Sequence, residues 1–190
     1  VTTDVMSDEQ RRTLRQALRG TDSEPVIPFA QPNSTTRVFA VASGKGGVGK
    51  SSMTVNLATA LAARGLNVGI LDADIYGHSI PHMLGSDARP HQVDDMIMPP
   101  IAHGVKIISI GHFVEGNTPV IWRGPMLHRA IQQFLSEVFW SDLDILLLDL
   151  PPGTGDIALS VAQLVPSAEL LIVTTPQAAA AEVAERAGAM

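Results

Sequence analysis

The chain has 190 residues, a net charge of −6, 45% hydrophobic residues and no cysteine. That length fits one domain with a short appendage and allows a sizeable core. The acidic balance argues against a general nucleic-acid binder, no apolar run reaches the roughly 18 residues of a membrane span, and the lack of cysteine excludes a cysteine-ligated metal or cluster within these residues.

The chain starts at Val1 and breaks off in a helix-like run after Gln177, so it reads as a fragment. No leader segment is visible, and the expected location is the cytoplasm. Residues 7–19 predict a short helix. Ser7 and Gln10 have capping-box spacing, and Gly20 can end it. Its apolar stripe is thin (Leu14, Ala17, Leu18), so residues 1–24 read as a peripheral tail of a preceding domain. Residues 25–36 read as a linker, and residues 37–190 as the main domain.

The main domain opens with an apolar strand at Arg37 to Ala42. Gly44-Lys45-Gly46-Gly47-Val48-Gly49-Lys50-Ser51 follows, and a helical pattern then runs from Lys50 to Arg64, ended by Gly65. Strand, glycine loop and helix in that order make a phosphate cradle. Glycines let backbone N–H groups turn inward, and the helix N-terminus adds partial positive charge. Lys50 can reach the β- and γ-phosphates, and the Ser51 hydroxyl can ligate Mg²⁺. The same letters hold a dinucleotide fingerprint at Gly44, Gly46 and Gly49, with Asp72 near the ribose position. The lysines decide against it: of the three in the chain, Lys45 and Lys50 lie in this loop, and only Lys106 lies elsewhere. The helix is expected to turn Met53, Leu57, Ala60 and Leu61 inward.

Val68 to Leu71 predicts the second strand, ending in Asp72-Ala73-Asp74. Carboxylates at the carboxyl end of a strand are candidates for Mg²⁺ contact and water activation, or for capping the loop that follows. His78 and His82 are four apart, but Pro81 between them and the lack of a third ligand weigh against a metal site. The other histidines read as loop or surface residues. After an irregular stretch over 86–103, Val105 to Ile110 predicts a strand, paired with a segment near Val93 to Met98. Pro125 suits the first turn of a helix whose stripe is Met126, Leu127, Ala130, Ile131, Phe134, Leu135 and Val138. Arg123 before it reads first as a solvated or structurally paired side chain, and second as a phosphate or partner contact.

Leu143 to Leu150 is nearly all apolar and carries Asp149 near its end, the usual second Mg²⁺ element of a triphosphate site. Gly153 and Gly155 allow the backbone to move toward a γ-phosphate and away again. Asp156 is expected to cap the next helix, which stops at Pro166, and Leu170 to Thr174 predicts another buried strand. The fold class is therefore α/β: a three-layer P-loop NTPase with a mostly parallel buried sheet flanked by helices on both faces.

Lys45, directly after the first glycine, marks a deviant Walker A loop. Together with Asp72 to Gly77, Val120 to Pro125 and Asp149 to Asp156, it resembles the Mrp (ApbC-like) family of iron–sulfur cluster carrier ATPases, related to MinD and ParA. The resemblance runs from about Arg37 to the last residue. His78 departs from it, standing where the family usually has Pro. The resemblance implies that Gly44, Lys45, Gly46, Gly47, Val48, Gly49, Lys50, Ser51 and Ser52 hold the phosphates. It implies that Gly153 senses the γ-phosphate, and that Ser51, Asp72 and Asp149 attend Mg²⁺. Lys45 would reach across a homodimer to the partner's nucleotide, and Asp74 would position or deprotonate the attacking water. Lys45, Lys50 and Asp74 would be catalytic. The implied cofactors are ATP and Mg²⁺. A 4Fe–4S cluster would be held by a downstream C-P-x-C pair of the full-length parent and passed to apoproteins. A MinD/ParA-type positioning ATPase shares the loop and the carboxylates and is the main alternative. A GTPase lacks its N-K-x-D base-reading motif here, and a small-molecule kinase has little need for Lys45.

Overall fold

The computed structural model describes residues 25–74, 77, 79–94, 96–113, 124–153 and 156–176. The helix expected over 7–19, residues 120–123 with Arg123, His78, Gly155, the Asp156 side chain and the helix expected from Gln177 lie outside these residues.

Among the described residues eight strands form: β1 (Arg37–Ala42), β2 (Val68–Asp72), β3 (His91–Val93), β4 (Met96–Met98), β5 (Ile101–Ala102), β6 (Val105–Ser109), β7 (Ile145–Asp149) and β8 (Glu169–Ile172). Four helices accompany them: α1 (Lys50–Ala62), the single turn α2 (Ile80–Met83), α3 (Gly124–Glu137) and α4 (Asp156–Leu164). Six strands make one sheet in the order β5-β6-β2-β7-β1-β8, parallel except for β5 at one edge. Strands buried on both faces need near-continuous apolar runs. β2 and β7 meet that need, with every residue of β2 buried.

The alternation of side chains across the pleat divides the core in two. Val68, Ile70, Val105, Ile107 and Leu147 face α1 and α2, meeting Val55, Ala58, Ile80 and Leu84. Leu71, Ile108, Leu146, Leu148 and Ala40 face the other way, against Leu127, Ile131, Phe134 and Leu135 of α3 and Val161 and Leu164 of α4. Helices thus cover both faces, as the strand–helix alternation predicts. The 25–36 stretch does more than connect. A 3₁₀ turn at Pro28–Ala30 lies within it, and Ile27 and Phe29 are buried in the α3 side of the core.

Four expectations change. β6 does not pair with residues 93–98. It pairs antiparallel with β5, because His103 and Gly104 both take positive φ (51° and 77°) and fold the chain back within two residues. β3 and β4 instead make their own antiparallel pair. Met126 is exposed, not part of the α3 stripe, which begins at Leu127. On α1 the inward positions are Thr54, Val55 and Ala58, whereas Met53 and Ala60 are exposed. The polar Thr54 belongs inside because its hydroxyl has a carboxylate to meet there. β8 is an edge strand with Leu170 exposed, not a buried one, because β1 is its one neighbour among the described residues.

The third lysine is structural. The Lys106 ammonium donates to the Trp140 carbonyl (2.5 Å) and to the Ser141 hydroxyl, and burial lowers its pKa below the usual lysine value. This ties the α3–β7 connection to β6. The same connection presses on β2: a methyl at Gly69 would lie 2.8 Å from Leu143 Cδ1 and 2.9 Å from the Trp140 ring. Gly69→Ala is therefore expected to destabilise the fold by about 1–3 kcal/mol, read as a lower urea midpoint with unchanged slope. An unchanged midpoint would mean that the Trp140 ring moves aside without loss.

Candidate nucleotide site

The register of the sheet places four residues in one row at its carboxyl edge. Ser109 pairs with Asp72, Asp72 with Asp149, and Asp149 with Val41. Residues paired across parallel strands point the same way, so Ser109, Asp72 and Asp149 all face the α1 side. This row puts polar groups where the two previous positions of each strand put aliphatic ones. Ligands of open α/β sheets bind at this edge.

Between β1 and α1 the loop 43–49 wraps over the row. Gly47 and Gly49 hold φ of 77° and 91°, conformations that L side chains rarely adopt, and a Cβ at either would meet nothing within 4 Å. Glycine is selected at these two positions by backbone conformation and not by crowding. Gly49 precedes the first turn of α1, so the helix N-terminus faces the inside of the loop. A cleft of about 330 Å³ lies here, walled by Ser43, Gly46, Gly47, Gly49, Lys50, Ser51, Ser52, Asp74, Ser79, Met83 and Pro152. Gly153, with φ of 112°, donates its N–H to the Ser43 carbonyl at 2.8 Å and so ties the segment after β7 to the loop.

Lys50 is almost fully buried. Its Nζ lies 2.8 Å from Asp149 Oδ2 and 3.7 Å from Asp74 Oδ2, and it also donates to Ser51 Oγ at 3.3 Å. Asp149 is fully buried and gathers three donors. Ser51 Oγ donates to Oδ2 at 2.6 Å, Thr54 Oγ1 donates to Oδ1 at 2.8 Å, and Lys50 Nζ completes the set. Such neutralisation is what a buried carboxylate requires. Asp74 accepts the Gly77 N–H at 3.0 Å and stands on the cleft wall.

Asp72, also expected at the metal, is placed differently. It is fully buried behind the cleft wall, with Oδ1 accepting the Asp74 N–H (3.1 Å) and Oδ2 accepting the Ser109 hydroxyl (3.0 Å). Its carboxyl is pushed up to about 7, first by burial and then by the charge of Asp149. Lys45 is exposed at the lip of the loop and makes no ion pair with a described residue. Gly44 and Val48 are partly buried in the loop backbone.

The residues fit a nucleotide and a hard divalent cation. The Ser43 hydroxyl is buried on the cleft wall without a hydrogen-bond partner among the described residues, which a polar ligand would supply. Ser51 Oγ and Asp149 Oδ2 converge as an all-oxygen pair of the kind that Mg²⁺ takes. No cluster of three or more His, Cys, Asp or Glu suited to a metal occurs among the described residues, the histidine pair included only as far as His82. Two contributors escape the sequence pattern: Thr54, which reads as a polar interruption of a helix stripe, and Ser43, which reads as the end of a strand. The signal for Thr54 is its place four residues after Lys50, one helical turn along the same face.

A glycine loop between a parallel strand and a helix, with lysine and carboxylates beneath it, defines a P-loop NTPase. The family model described as ParA, the NUBPL iron-transfer P-loop NTPase, matches residues 34–190, and the chain belongs to this family. An iron-sulfur cluster carrier protein of Mycobacterium leprae is 75% identical over all 190 residues, which are 50% of that protein. The carrier protein of Bacillus subtilis is 54% identical over 177 residues, again 50% of its length. The chain thus spans about half the length of the curated relatives it matches. A nucleotide-binding protein of Archaeoglobus fulgidus in complex with ADP superposes with a TM-score of 0.67 at 40% identity, covering 80% of this chain and 61% of that one. The cell-division ATPase MinD of Pyrococcus furiosus shares the fold, with a TM-score of 0.58 at 24% identity over 80% of this chain and 65% of that one.

Proposed function

We propose that the chain is the nucleotide-binding half of an iron–sulfur cluster carrier, which binds and hydrolyses ATP as a homodimer in the cytoplasm and passes a 4Fe–4S cluster to apoproteins. The observation that carries the ATPase part is the position of Lys50, buried between Asp74 and Asp149 on the wall of a glycine-lined cleft. The carrier part is supported by relatives that bear that name and match all 190 residues of this chain in one case and 177 in the other.

In this reading the amides of Gly46, Gly47 and Gly49 and the Ser52 position cradle the phosphates, and Lys50 leaves the carboxylates to meet them. Ser51 and Asp149 would hold Mg²⁺, which neutralises phosphate charge when bound. Asp74, on the cleft wall, orients the attacking water and accepts its proton. Gly153 couples the γ-phosphate position to the segment after β7. Lys45, exposed at the lip, reaches the nucleotide of the second subunit and adds positive charge there, as an arginine finger does. With no cysteine among these 190 residues, the cluster is cargo held by the remainder of the parent protein.

Anaerobic iron–sulfur reconstitution of the full-length protein tests this. The expected result is about four irons and four sulfides per dimer, with a visible absorption band, and transfer of the cluster to an apoprotein. A protein that hydrolyses ATP but takes up no cluster would replace the carrier with a positioning ATPase of the MinD/ParA type.

A further inference from the structure

Asp74 does not hold its place alone. Its backbone N–H is fixed by Asp72 Oδ1 at 3.1 Å, and Asp72 is in turn oriented by the Ser109 hydroxyl at 3.0 Å. Ser109 sits at the end of β6, two strands away from Asp149, and is almost fully buried. Its hydroxyl oxygen accepts the Gly111 N–H at 3.2 Å, and its own N–H donates to His112 Nδ1 at 3.3 Å. With the hydroxyl oxygen already accepting, its proton is directed at Asp72 Oδ2. Backbone of the 3₁₀ turn after β6, Ser109, Asp72 and the Asp74 amide therefore form one chain of hydrogen bonds ending at the cleft wall.

We propose that Ser109 is a positioning residue for hydrolysis, which acts through Asp72 to hold Asp74 at the attacking water. This deepens the reading of Asp74 given above and rests on it. The two links from Ser109 to Asp72 and from Asp72 to the Asp74 amide are hydrogen bonds between buried groups, where geometry is tightly held and a missing partner is felt by the next. Without the Ser109 hydroxyl, Asp72 Oδ2 loses its donor and the carboxyl is free to rotate. The Asp74 amide then loses a fixed acceptor, and the carboxylate that it carries loses its aim. Ser109 and Asp72 lie behind the cleft wall and do not line it, so binding of nucleotide is spared when Ser109 is changed. A misplacement of about 1 Å in a reacting group slows chemistry by up to roughly 100-fold.

The test compares Ser109→Ala, Ser109→Thr, Asp74→Asn and the double variant Ser109→Ala/Asp74→Asn in the full-length protein, reading ATP affinity and phosphate release separately. Ser109→Ala is expected to keep ATP affinity within about 2-fold and lower kcat by roughly 10- to 100-fold. Ser109→Thr, which keeps the hydroxyl, is expected to restore most of that loss. The double variant is expected to be no slower than Asp74→Asn alone, because residues acting as a unit are not additive. Wild-type kcat in Ser109→Ala, with Asp74→Asn slow, overturns the positioning role and leaves the Asp74 reading intact. Wild-type kcat in Asp74→Asn overturns both. Affinity and kcat falling together in Ser109→Ala, or full additivity in the double variant, would make Ser109 a structural residue only.

Discussion

Lys50→Ala is expected to abolish useful binding of Mg·ATP and to weaken the fold at the same time. Two effects add. The first is loss of a charge-assisted contact to the phosphates, which for truncation of a buried, hydrogen-bonded charge is about 2–5 kcal/mol of affinity. The second concerns the carboxylates left behind. Asp149 is fully buried with Lys50 at 2.8 Å as its one cation among the described residues, and Asp74 lies 3.7 Å from the same ammonium. Removing one partner of a buried pair destabilises by about 3–5 kcal/mol. Fluorescent-nucleotide titration at a temperature where the variant is folded separates the two, with a urea melt as the companion measurement. Unchanged nucleotide affinity would remove the phosphate cradle from this site.

Asp74→Asn should give the opposite pattern, with ATP held and turnover lost. The substitution keeps the shape of the side chain and its acceptor oxygen for the Gly77 N–H. It removes the basicity. A positioned general base contributes about 10²- to 10⁴-fold, and that is the expected loss in phosphate release. ATP affinity should change little, or rise slightly as one negative charge leaves the cleft wall. A variant with full turnover would mean that another group orients the water. Because Lys50→Ala is expected to act on binding and Asp74→Asn on chemistry, the pair would divide the site into its two tasks.

Much of this was open to reading from the residues. The glycine loop declares itself because the proposed phosphate cradle is made of consecutive backbone amides, so the site is local in sequence. Asp149 is legible because an acid ending an apolar run has few structural reasons to be there. The two helix-covered faces follow from the spacing of strands and helices. What could not be read depends on register. Ser109 and Asp72 are 37 residues apart in the chain, and nothing in either neighbourhood says that β2 and β6 align them. Thr54 was hidden because a periodicity rule scores a hydroxyl as outward, whereas a buried carboxylate turns that preference around. The β5–β6 turn was missed for a chemical reason. It uses His103-Gly104 where a sequence reading looks for Asn-Gly, although histidine also tolerates the left-handed region.

The polar row at the carboxyl edge has a bearing on how the protein can adapt to heat. One pleat repeat below it, the equivalent positions are Ile107, Ile70 and Leu147, all fully buried. The most direct route to a higher melting temperature would be to continue that aliphatic layer upward, replacing the hydroxyl and two carboxylates by branched side chains. Every such replacement would erase a group that the proposed mechanism uses. Stabilising substitutions are therefore better sought on the reverse side, where α3 and α4 pack apolar side chains against the sheet away from the cleft.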